Sequence, residues 1–565
     1  MLILGISGLR HHSTASLVRD GEVLAACEEG KLTGRADPSG LPRRAMQFCL
    51  EKSGAAPGDI DAIALDTHPW RLWGSELGFR TAKFLHAPVA STYYGIESFN
   101  HIREQLNNVR ILREMYPRAE IVYGDHHRAH AAAAFFASGF ERALVLTLDG
   151  GSSWGSGLLA AGEGAELRTL ATSRFPDSPG FLYSQITAML GWRANADEHR
   201  TQWLSTVGKP TMRAVFDRVL EPLTRGELRM RAGCFNSSVA EVICLSRQFL
   251  KELELPNGDH RAAASMPEEW RANVAASLQA ALEDAIVGLA KTWREKTGMT
   301  AMCFGGGVAF NALLIEALAS RSGFAQGFVS PAAGNAGCSM GAAWLLGLTR
   351  KIPPRGTPFS PYLGPVFAPQ QIKDFLDNCR LTYRNLSAPQ MIQEVVDKLA
   401  AGGIVGWFQG AAEFGPRALG HRSILAAPND EWVKENLNAF TKRRESFRPL
   451  AASVVEEQAG EFFEFPWASP PQFLGTVARV KDPKAIPGLA FSGHRARVHV
   501  VSRTANREFH DLLMRCGQTM GRPLLINTSF NAPGEPLVVT PQEALRVFYS
   551  TGIDCLALGD FLIGK

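Results

Sequence analysis

Two histidines spaced four residues apart, His126 and His130, are the residue pair in this chain most typical of a metal site. They lie in an alanine-rich stretch of high helix propensity, so a helix is predicted that places both imidazoles on one face. The apolar run 143–148 predicts a buried strand that ends at Asp149. Two imidazoles and a carboxylate suit a transition metal. Histidines that only cap or pack a helix are the alternative, and for an isolated pair they are the more common case.

Positively charged side chains gather in two segments of the second half of the chain, residues 409–423 and 442–449. Both segments are rich in turn residues and show no amphipathic helical pattern, which weakens the alternative of an ordinary solvated surface. Guanidinium groups suit bidentate contacts with phosphate. The candidate residues in these segments are Arg417, Arg422, Ser423, Lys442, Arg444 and Arg448.

A glycine triplet and a polar turn follow two further predicted strands. Residues 302–304 predict a short buried strand that runs into Gly305, Gly306 and Gly307. A strand, a glycine turn and a helix start together place backbone N–H groups on a phosphate or a ribose. Glycines are also required in a tight turn that binds nothing, so the triplet alone is a weak signal. Residues 524–531 predict a strand that ends in a polar turn.

The composition limits the class of protein. A chain of 565 residues exceeds one hydrophobic core and should form at least two domains. The apolar content of 45% and charged content of 20% are typical of soluble globular proteins, and a net charge of +4 gives no reason to expect nucleic acid or a membrane as partner. The nine cysteines are scattered, and neither a signal peptide nor a spanning segment is predicted. We therefore expect a cytoplasmic protein with reduced thiols.

The strand pattern predicts an internal duplication. Three strands are predicted at residues 2–7, 15–18 and 23–26, with a hairpin signal between the second and third. The stretch around Asp149 repeats the order of strand, polar turn and returning strand, which indicates a duplicated α/β domain of the actin and sugar-kinase type. The proline-rich residues 351–361 predict a linker between domains 1–350 and 362–565.

Nearly the whole chain resembles the O-carbamoyltransferases that modify antibiotics and nodulation factors. The resemblance implies an actin-like N-terminal domain, similar to the tRNA threonylcarbamoyl-transferring enzymes (TsaD-like), and an α+β YrdC-like C-terminal domain. The motifs that carry it are His126, His130 and Asp149, residues 305–311, residues 413–423, residues 442–449 and residues 527–531.

The resemblance also implies a reaction in two steps. The C-terminal domain uses carbamoyl phosphate and ATP, with Mg²⁺, to form carbamoyl adenylate, and phosphate and pyrophosphate are released. The N-terminal domain passes the carbamoyl group to a hydroxyl of a small-molecule acceptor, helped by iron or another divalent metal at His126, His130 and Asp149. A homodimer is also implied.

Individual roles follow from the motifs that match. The implied catalytic residues are His12 as general base, with His11 as a competitor for that role, and Arg417, Lys442 and Arg448. The implied binding residues are Gly305, Gly306, Gly307, Asn311, Asn335, Arg422, Ser423, Arg444, Arg497, Asn527, Ser529 and Asn531.

The departures from the family pattern gather in the N-terminal domain. Ser13 stands where the family has an aspartate, and Asn335 replaces an aspartate that binds metal in relatives. The turn 149–154 and the stretch 198–208 also differ. Because an amide is a weaker ligand than a carboxylate, we expect incomplete metal occupancy. Either the altered loops reshape the acceptor pocket, or the domain has changed its chemistry, with an amine acceptor, another adenylate reaction or a non-catalytic nucleotide-binding role. The retained polar motifs favour the first interpretation.

Overall fold

A computed structural model describes residues 1–36, 38–68, 88–152, 155–231, 233–235, 244–355, 359–430, 432–468 and 471–565. Two parts of the sequence-based predictions lie outside the described residues. These are the end of the altered turn, residues 153–154, and the middle of the predicted linker, residues 356–358. No helix among the described residues combines the length and the apolar character needed to cross a membrane.

The first sheet contains the three strands predicted at the start of the chain and two later ones. Its strands are β1 (Leu2–Ser7), β2 (Thr14–Arg19), β3 (Glu22–Glu28), β4 (Ala62–Leu65) and β5 (Glu120–Tyr123). The order is β3-β2-β1-β4-β5. The pairs β1–β2 and β2–β3 are antiparallel, whereas β4 and β5 continue the sheet parallel to β1. The turn between β2 and β3 has positive φ at both Asp20 and Gly21, as the hairpin signal predicted.

The second sheet repeats this topology. Its strands are β6 (Arg142–Ser152), β7 (Gly155–Glu163), β8 (Glu166–Arg174), β9 (Ala301–Gly305) and β10 (Gln326–Val329). The order β10-β9-β6-β7-β8 has two antiparallel pairs followed by parallel β9 and β10. The duplicated actin-like and sugar-kinase-like architecture is therefore confirmed. Because parallel strands end at the same edge of a sheet, the ends of β6 and β9 lie side by side.

Two helices pack against each other between the two sheets. The helix His126–Ser138 follows β5 and packs on the second sheet, and the helix Asn335–Thr349 follows β10 and packs on the first. The helices approach closely at Gly341, where a Cβ atom would collide with the carbonyl oxygen of Ala129. Small residues on both helices permit this approach, and they explain the alanine-rich sequence after His126. The remaining longer helices of this half are Arg43–Ser53, Pro88–Met115, Pro179–Met189, Arg213–Thr224, Glu268–Thr297 and Ala312–Arg321, and the shorter ones are Glu29–Thr33, Glu198–Leu204 and Arg247–Glu252.

The third sheet belongs to the C-terminal part and has ten strands of mixed direction, as expected for an α+β domain. Its order is β11-β20-β19-β12-β13-β18-β14-β17-β16-β15. The strands are β11 (Arg384–Asn385), β12 (Val405–Phe408), β13 (Arg422–Ala426), β14 (Ala451–Val455), β15 (Phe463–Glu464), β16 (Val477–Val480), β17 (Arg495–Val501), β18 (Leu524–Ser529), β19 (Cys555–Leu558) and β20 (Phe561–Gly564). The accompanying helices are Pro369–Asn378, Ala388–Ala400, Trp432–Asn436, Ala459–Phe462, Arg507–Met520 and Pro541–Ser550.

The two parts of the chain meet along a hydrogen-bonded seam. The buried Lys31, in the helix after β3, donates from Nζ to the carbonyl oxygens of Glu413 at 2.6 Å and Gly415 at 2.7 Å. The carboxylate of Glu28 accepts from the backbone N–H of Gly415 at 2.8 Å. The loop that carries Arg417 is thus held by the N-terminal part. The domain boundaries themselves stay a prediction.

Candidate functional site

The helix and strand predicted from the sequence bring His126, His130 and Asp149 together. The two Nε2 atoms lie 3.1 Å apart, and Oδ2 of Asp149 lies 3.5 Å from Nε2 of His126 and 3.3 Å from Nε2 of His130. Both histidines are buried. Three ligand atoms held by one transition metal at about 2.1 Å are separated by about 3.0–3.4 Å. The observed separations fit a shared metal ion, with no rearrangement of the backbone.

The opposite nitrogen of each ring has a defined acceptor. Nδ1 of His130 donates to the carbonyl oxygen of Ala333 at 3.1 Å, and Nδ1 of His126 donates to Oδ2 of Asp66 at 2.8 Å. Both Nε2 atoms are therefore left as the metal-binding positions. The acceptors on the opposite nitrogens, Asp66 and the carbonyl oxygen of Ala333, orient each imidazole and raise its basicity as a ligand. Sequence reasoning missed Asp66. Its signal was available, since Asp66 follows a short apolar strand, β4, just as Asp149 follows the predicted run 143–148.

The charges of this cluster favour a cation. Burial opposes the charged form of His126, but hydrogen bonds to Asp149 and Asp66 outweigh that effect and raise its pKa to about 10. Burial also opposes ionisation of Asp149, yet its hydrogen bonds with His126 and His130 hold its pKa well below the usual range. Burial and the neighbouring His126 lower the pKa of His130. The carboxylates of Asp66 and Asp149 therefore make this site favourable for a positive charge, which a divalent metal ion supplies.

Asn335 lies at the start of its helix, with its amide turned toward the β1–β2 turn. Nδ2 of Asn335 is 3.0 Å from Nδ1 of His11, and Oγ of Ser7 donates to the carbonyl oxygen of Asn335 at 2.7 Å. His12, in the same turn, adopts a left-handed backbone with φ of 57°. The buried Cys338 also lies near the two histidines, with its Sγ within 4.8 Å of a ligand nitrogen of His126 and of His130.

The glycine turn lies against the end of β6, as the parallel pairing of β6 and β9 requires. Gly306 has φ of 86°, and a Cβ atom there would collide with the carbonyl oxygen of Leu148. A Cβ atom on Gly307 would come within 3.0 Å of Oδ1 of Asp149, so glycine keeps that carboxylate accessible.

Asn311 differs from the sequence-based expectation. Its Oδ1 caps the helix Ala312–Arg321 by accepting from the N–H of Leu314 at 3.1 Å, and its Nδ2 donates to Oε1 of Gln279 at 2.8 Å. The side chain is buried and both arms are used within the fold. The structure assigns Asn311 to shaping the turn, because these bonds use its Oδ1 twice and one N–H of its Nδ2.

A second cluster forms in the C-terminal part, around Lys442. The buried ammonium of Lys442 lies among oxygen acceptors of Ser529 and Asn531, including the carbonyl oxygen of Ser529 at 2.7 Å and that of Asn531 at 3.0 Å. Arg444 donates from Nε to Asn438, and Nη1 of Arg448 is 3.7 Å from Oε2 of Glu445. The predicted basic segment and the predicted polar turn are thus parts of one site.

Arg417 and Arg497 join this cluster from the loop after β12 and from β17. Arg417 stacks on Phe310 at 5.6 Å from the ring centroid and donates to its carbonyl oxygen at 3.4 Å. Arg497 lies 5.7 Å from the ring centroid of Trp203. Trp203 and Phe310 belong to the N-terminal part, so the cluster is closed by both parts of the chain. No pattern in the sequence predicted this pairing.

The cluster carries positive charge that the protein itself does not balance. Burial lowers the pKa of Arg417 and Arg444 to about 10, and burial with repulsion from Arg444 lowers that of Arg448 to about 9. Burial and mutual repulsion hold the pKa values of Lys442 and Arg497 well below their usual range. Among the residues described, Glu445 is the one carboxylate paired with these groups. An arrangement of this kind favours a multiply charged anion.

Arg422 requires a correction, because it lies inside the fold. Its guanidinium lies 3.6 Å from the ring centroid of Phe408, and its terminal nitrogens donate to the carbonyl oxygens of Gln409, His421, Pro365 and Gly410. The side chain is fully buried. Arg422 sits at the start of β13, a strand buried along its whole length, and these four bonds use its terminal nitrogens within the fold. Arg422 therefore stabilises the loop and does not offer its fork to a ligand.

Ser423 and Glu413 stabilise the same loop. Oγ of Ser423 accepts from the N–H of Gly420 at 3.2 Å. Oε1 of Glu413 accepts three backbone N–H groups, those of Leu419, His421 and Arg422, at 2.9 to 3.0 Å. This arrangement fixes the backbone that presents Arg417. In the segment 413–423, Arg417 therefore faces the cluster, whereas Glu413, Arg422 and Ser423 stabilise the loop that carries it.

Comparison with known proteins identifies the family of this chain. The family description "Carbamoyltransferase N-terminus" matches residues 2–344, and "Carbamoyltransferase C-terminus" matches residues 396–565. Nodulation protein NolNO of Sinorhizobium fredii is 33% identical over 100% of this chain and 83% of its own length. An uncharacterized Synechocystis protein, sll1178, is 31% identical over 100% of this chain and 96% of its own length. The 3'-hydroxymethylcephem-O-carbamoyltransferase of Amycolatopsis lactamdurans is 29% identical over 45% of this chain and 47% of its own length. The chain belongs to the carbamoyltransferase family.

Proposed function

We propose that this carbamoyltransferase forms carbamoyl adenylate from carbamoyl phosphate and ATP and transfers the carbamoyl group to a hydroxyl of a small molecule. The observation that supports this most is the cationic cluster of Arg417, Lys442, Arg444, Arg448 and Arg497. Its charge exceeds what a single phosphate requires and suits two phosphorylated substrates, with Mg²⁺ on the nucleotide. Burial strengthens each contact, because the fixed charges need no reorganisation as negative charge develops.

The first step consumes carbamoyl phosphate, water and ATP. Water releases phosphate from carbamoyl phosphate to leave carbamate, and a carbamate oxygen attacks the α-phosphorus of ATP. The bond from that phosphorus to the bridging oxygen of pyrophosphate breaks, and carbamoyl adenylate forms. Lys442 and the arginines neutralise the phosphates throughout. Closure of the cluster by Trp203 and Phe310 limits hydrolysis of the adenylate.

The second step moves the carbamoyl group to the acceptor. The acceptor oxygen bonds to the carbamoyl carbon, AMP leaves with the former bridging oxygen, and the hydroxyl proton goes to a base, for which His12 is the candidate. His126, His130 and Asp149 would hold a divalent metal. When bound, such an ion acts as a Lewis acid on a carbonyl oxygen.

The test is release of pyrophosphate from ATP that depends on carbamoyl phosphate, with carbamoyl adenylate detected by mass spectrometry. We expect Arg417→Ala to abolish both products. The matched control, Arg515→Ala, removes an exposed arginine that contacts only Gln393 and Gln518 through the bonds described, and it should retain activity. Folded wild-type protein that yields neither product in the presence of Mg²⁺ would refute the proposal.

A second candidate is an altered transfer step, which the His11–Asn335 contact favours. In that case the protein forms the adenylate, but the N-terminal part uses an amine acceptor or serves as a nucleotide-binding partner. AMP release upon addition of hydroxyl or amine acceptors distinguishes these outcomes. Formation of a carbamate ester supports the first candidate, whereas a urea product or no product supports the second.

A further inference from the structure

Three buried polar residues form a hydrogen-bonded chain beside the cationic cluster. They are Asn527 on β18, Ser453 on β14 and His499 on β17, which are 1%, 0% and 3% exposed. Nδ2 of Asn527 is 2.9 Å from Oγ of Ser453, and Oγ of Ser453 is 3.0 Å from Nδ1 of His499. Nothing in the proposed reaction so far uses Ser453 or His499.

Two acceptors determine the orientation of the Asn527 amide in this chain of hydrogen bonds. Nδ2 of Asn527 also donates to the carbonyl oxygen of Ala418 at 3.1 Å, and because a carbonyl only accepts, this contact fixes the orientation of the amide. Burial, with repulsion from His421, lowers the pKa of His499 to about 3, so its ring is neutral. Oγ of Ser453 therefore accepts from Nδ2 of Asn527, and it shares a second hydrogen bond with Nδ1 of His499.

The other arm of the amide, Oδ1 of Asn527, is buried and has no donor within hydrogen-bonding distance among the described residues. A buried carbonyl oxygen left unpaired is costly, so this oxygen is available to accept a hydrogen bond from a bound molecule.

The sheet register places this acceptor beside the cationic cluster. Asn527 pairs with Ala451, and Ala451 pairs with Arg497, so Asn527 and Arg497 stand in one row across three strands and on one face. Ser529, which contacts Lys442, is two residues further along β18 and belongs to the same face.

Phosphate oxygens cannot satisfy this acceptor, because an ionised phosphate offers no N–H donor. The donors that the proposed substrates offer are the NH₂ of the carbamoyl group and, on ATP, the adenine NH₂ and the two ribose hydroxyls. The carbamoyl NH₂ is separated from its phosphate by only the carbonyl carbon and the bridging oxygen. A phosphate held by Lys442 and Arg497 would therefore keep it next to Asn527.

We propose that Ser453 and His499 are positioning residues that fix the Asn527 amide, so that its Oδ1 accepts a hydrogen bond from the NH₂ of carbamoyl phosphate and selects it over other acyl phosphates. This inference rests on the proposed function for the identity of the ligand. Acetyl phosphate is the matching probe, since a methyl group replaces the NH₂ and leaves the phosphate unchanged.

The experiment measures binding of carbamoyl phosphate, acetyl phosphate, inorganic phosphate and ATP, each alone, to the full-length protein, so that it does not depend on turnover. We expect the wild type to bind carbamoyl phosphate about 10- to 100-fold more tightly than acetyl phosphate. Ser453→Ala and His499→Phe should lose most of this preference and bind inorganic phosphate as the wild type does. His499→Asn keeps a hydrogen-bonding group near the position of Nδ1 and should restore the preference.

The control Ser322→Ala removes another buried hydroxyl, which donates to the carbonyl oxygen of Leu318, and should leave the preference unchanged. A wild type that binds acetyl phosphate and carbamoyl phosphate equally overturns the inference. It is also overturned if Ser453→Ala weakens the binding of ATP and leaves that of carbamoyl phosphate unchanged, which would assign the acceptor to the nucleotide. A protein that shows the preference but makes no adenylate keeps this inference and loses the proposed function.

Discussion

Replacing Arg497 by methionine should stabilise the ligand-free protein and at the same time abolish its activity. Arg497 contributes a positive charge that Arg417, Arg448 and Arg444 repel, and burial opposes that charge further. Methionine has a similar length and fills the same space without a charge. The two effects separate because the charge is useful only when an anionic substrate is bound.

The expected gain in the free energy of unfolding follows from the contacts of Arg497. The substitution loses a hydrogen bond to the carbonyl oxygen of Leu474 at 3.1 Å, which contributes about 1 kcal/mol. It also loses the contact with Trp203, which contributes about 0.5–1 kcal/mol. Relief of an unpaired buried charge returns several kcal/mol, and the partial exposure of Arg497 places this at the low end. We expect a net stabilisation of about 1–2 kcal/mol.

The assay is thermal unfolding with and without pyrophosphate. Without anion, the unfolding transition of the C-terminal part should rise by about 2–6 °C in Arg497→Met. Pyrophosphate at a hundredfold excess over its dissociation constant should stabilise the wild type by about 2.7 kcal/mol and the variant much less. Pyrophosphate release from ATP should fall to background.

Arg495→Met is the matched control, since Arg495 lies two residues away on the same strand but has a carboxylate partner, Oε2 of Glu316, at 3.7 Å. This control should be neutral or slightly destabilising and should keep its response to pyrophosphate. Loss of stability in Arg497→Met, larger than in the control, would show that Arg497 is already compensated in the free protein and would refute the reasoning.

Two further predictions concern the N-terminal part. Asp66→Asn keeps an acceptor for His126 but removes the outer charge, so metal affinity measured by competition with a chelator should fall about 10- to 100-fold, while the surface control Asp59→Asn should bind as the wild type does. Burial and repulsion from Arg448 and Arg417 lower the pKa of His199 to about 3. Between about pH 3 and about pH 6.5, His199 is therefore protonated in the unfolded chain and neutral in the folded protein. Stability should therefore fall as the pH decreases through this window, and His199→Gln should reduce the slope by up to about 1.4 kcal/mol per pH unit, measured by unfolding at pH 4 to 7.

Local patterns predicted those features that depend on neighbours in the chain. The spacing of His126 and His130 placed both on one helical face, and the apolar run before Asp149 placed that carboxylate at a strand end. Repetition of the strand pattern predicted the duplication that the two sheets display. These features follow from helix and strand periodicity, which a sequence carries in every window of a few residues.

The sequence by itself thus determined the family, the histidine pair with its carboxylate, and the basic segments with their residue types. The tertiary structure decided which members of a cluster face a ligand. Arg417 and Arg422 lie in one run, yet the first reaches the seam with Phe310 and the second fills the interior beside Phe408. Asp66 and Ser453 acquire their roles from partners distant in the chain, His126 and Asn527. Strand register and the packing of the N-terminal part against the C-terminal part determine such pairs, and neither can be predicted from the spacing of neighbouring residues.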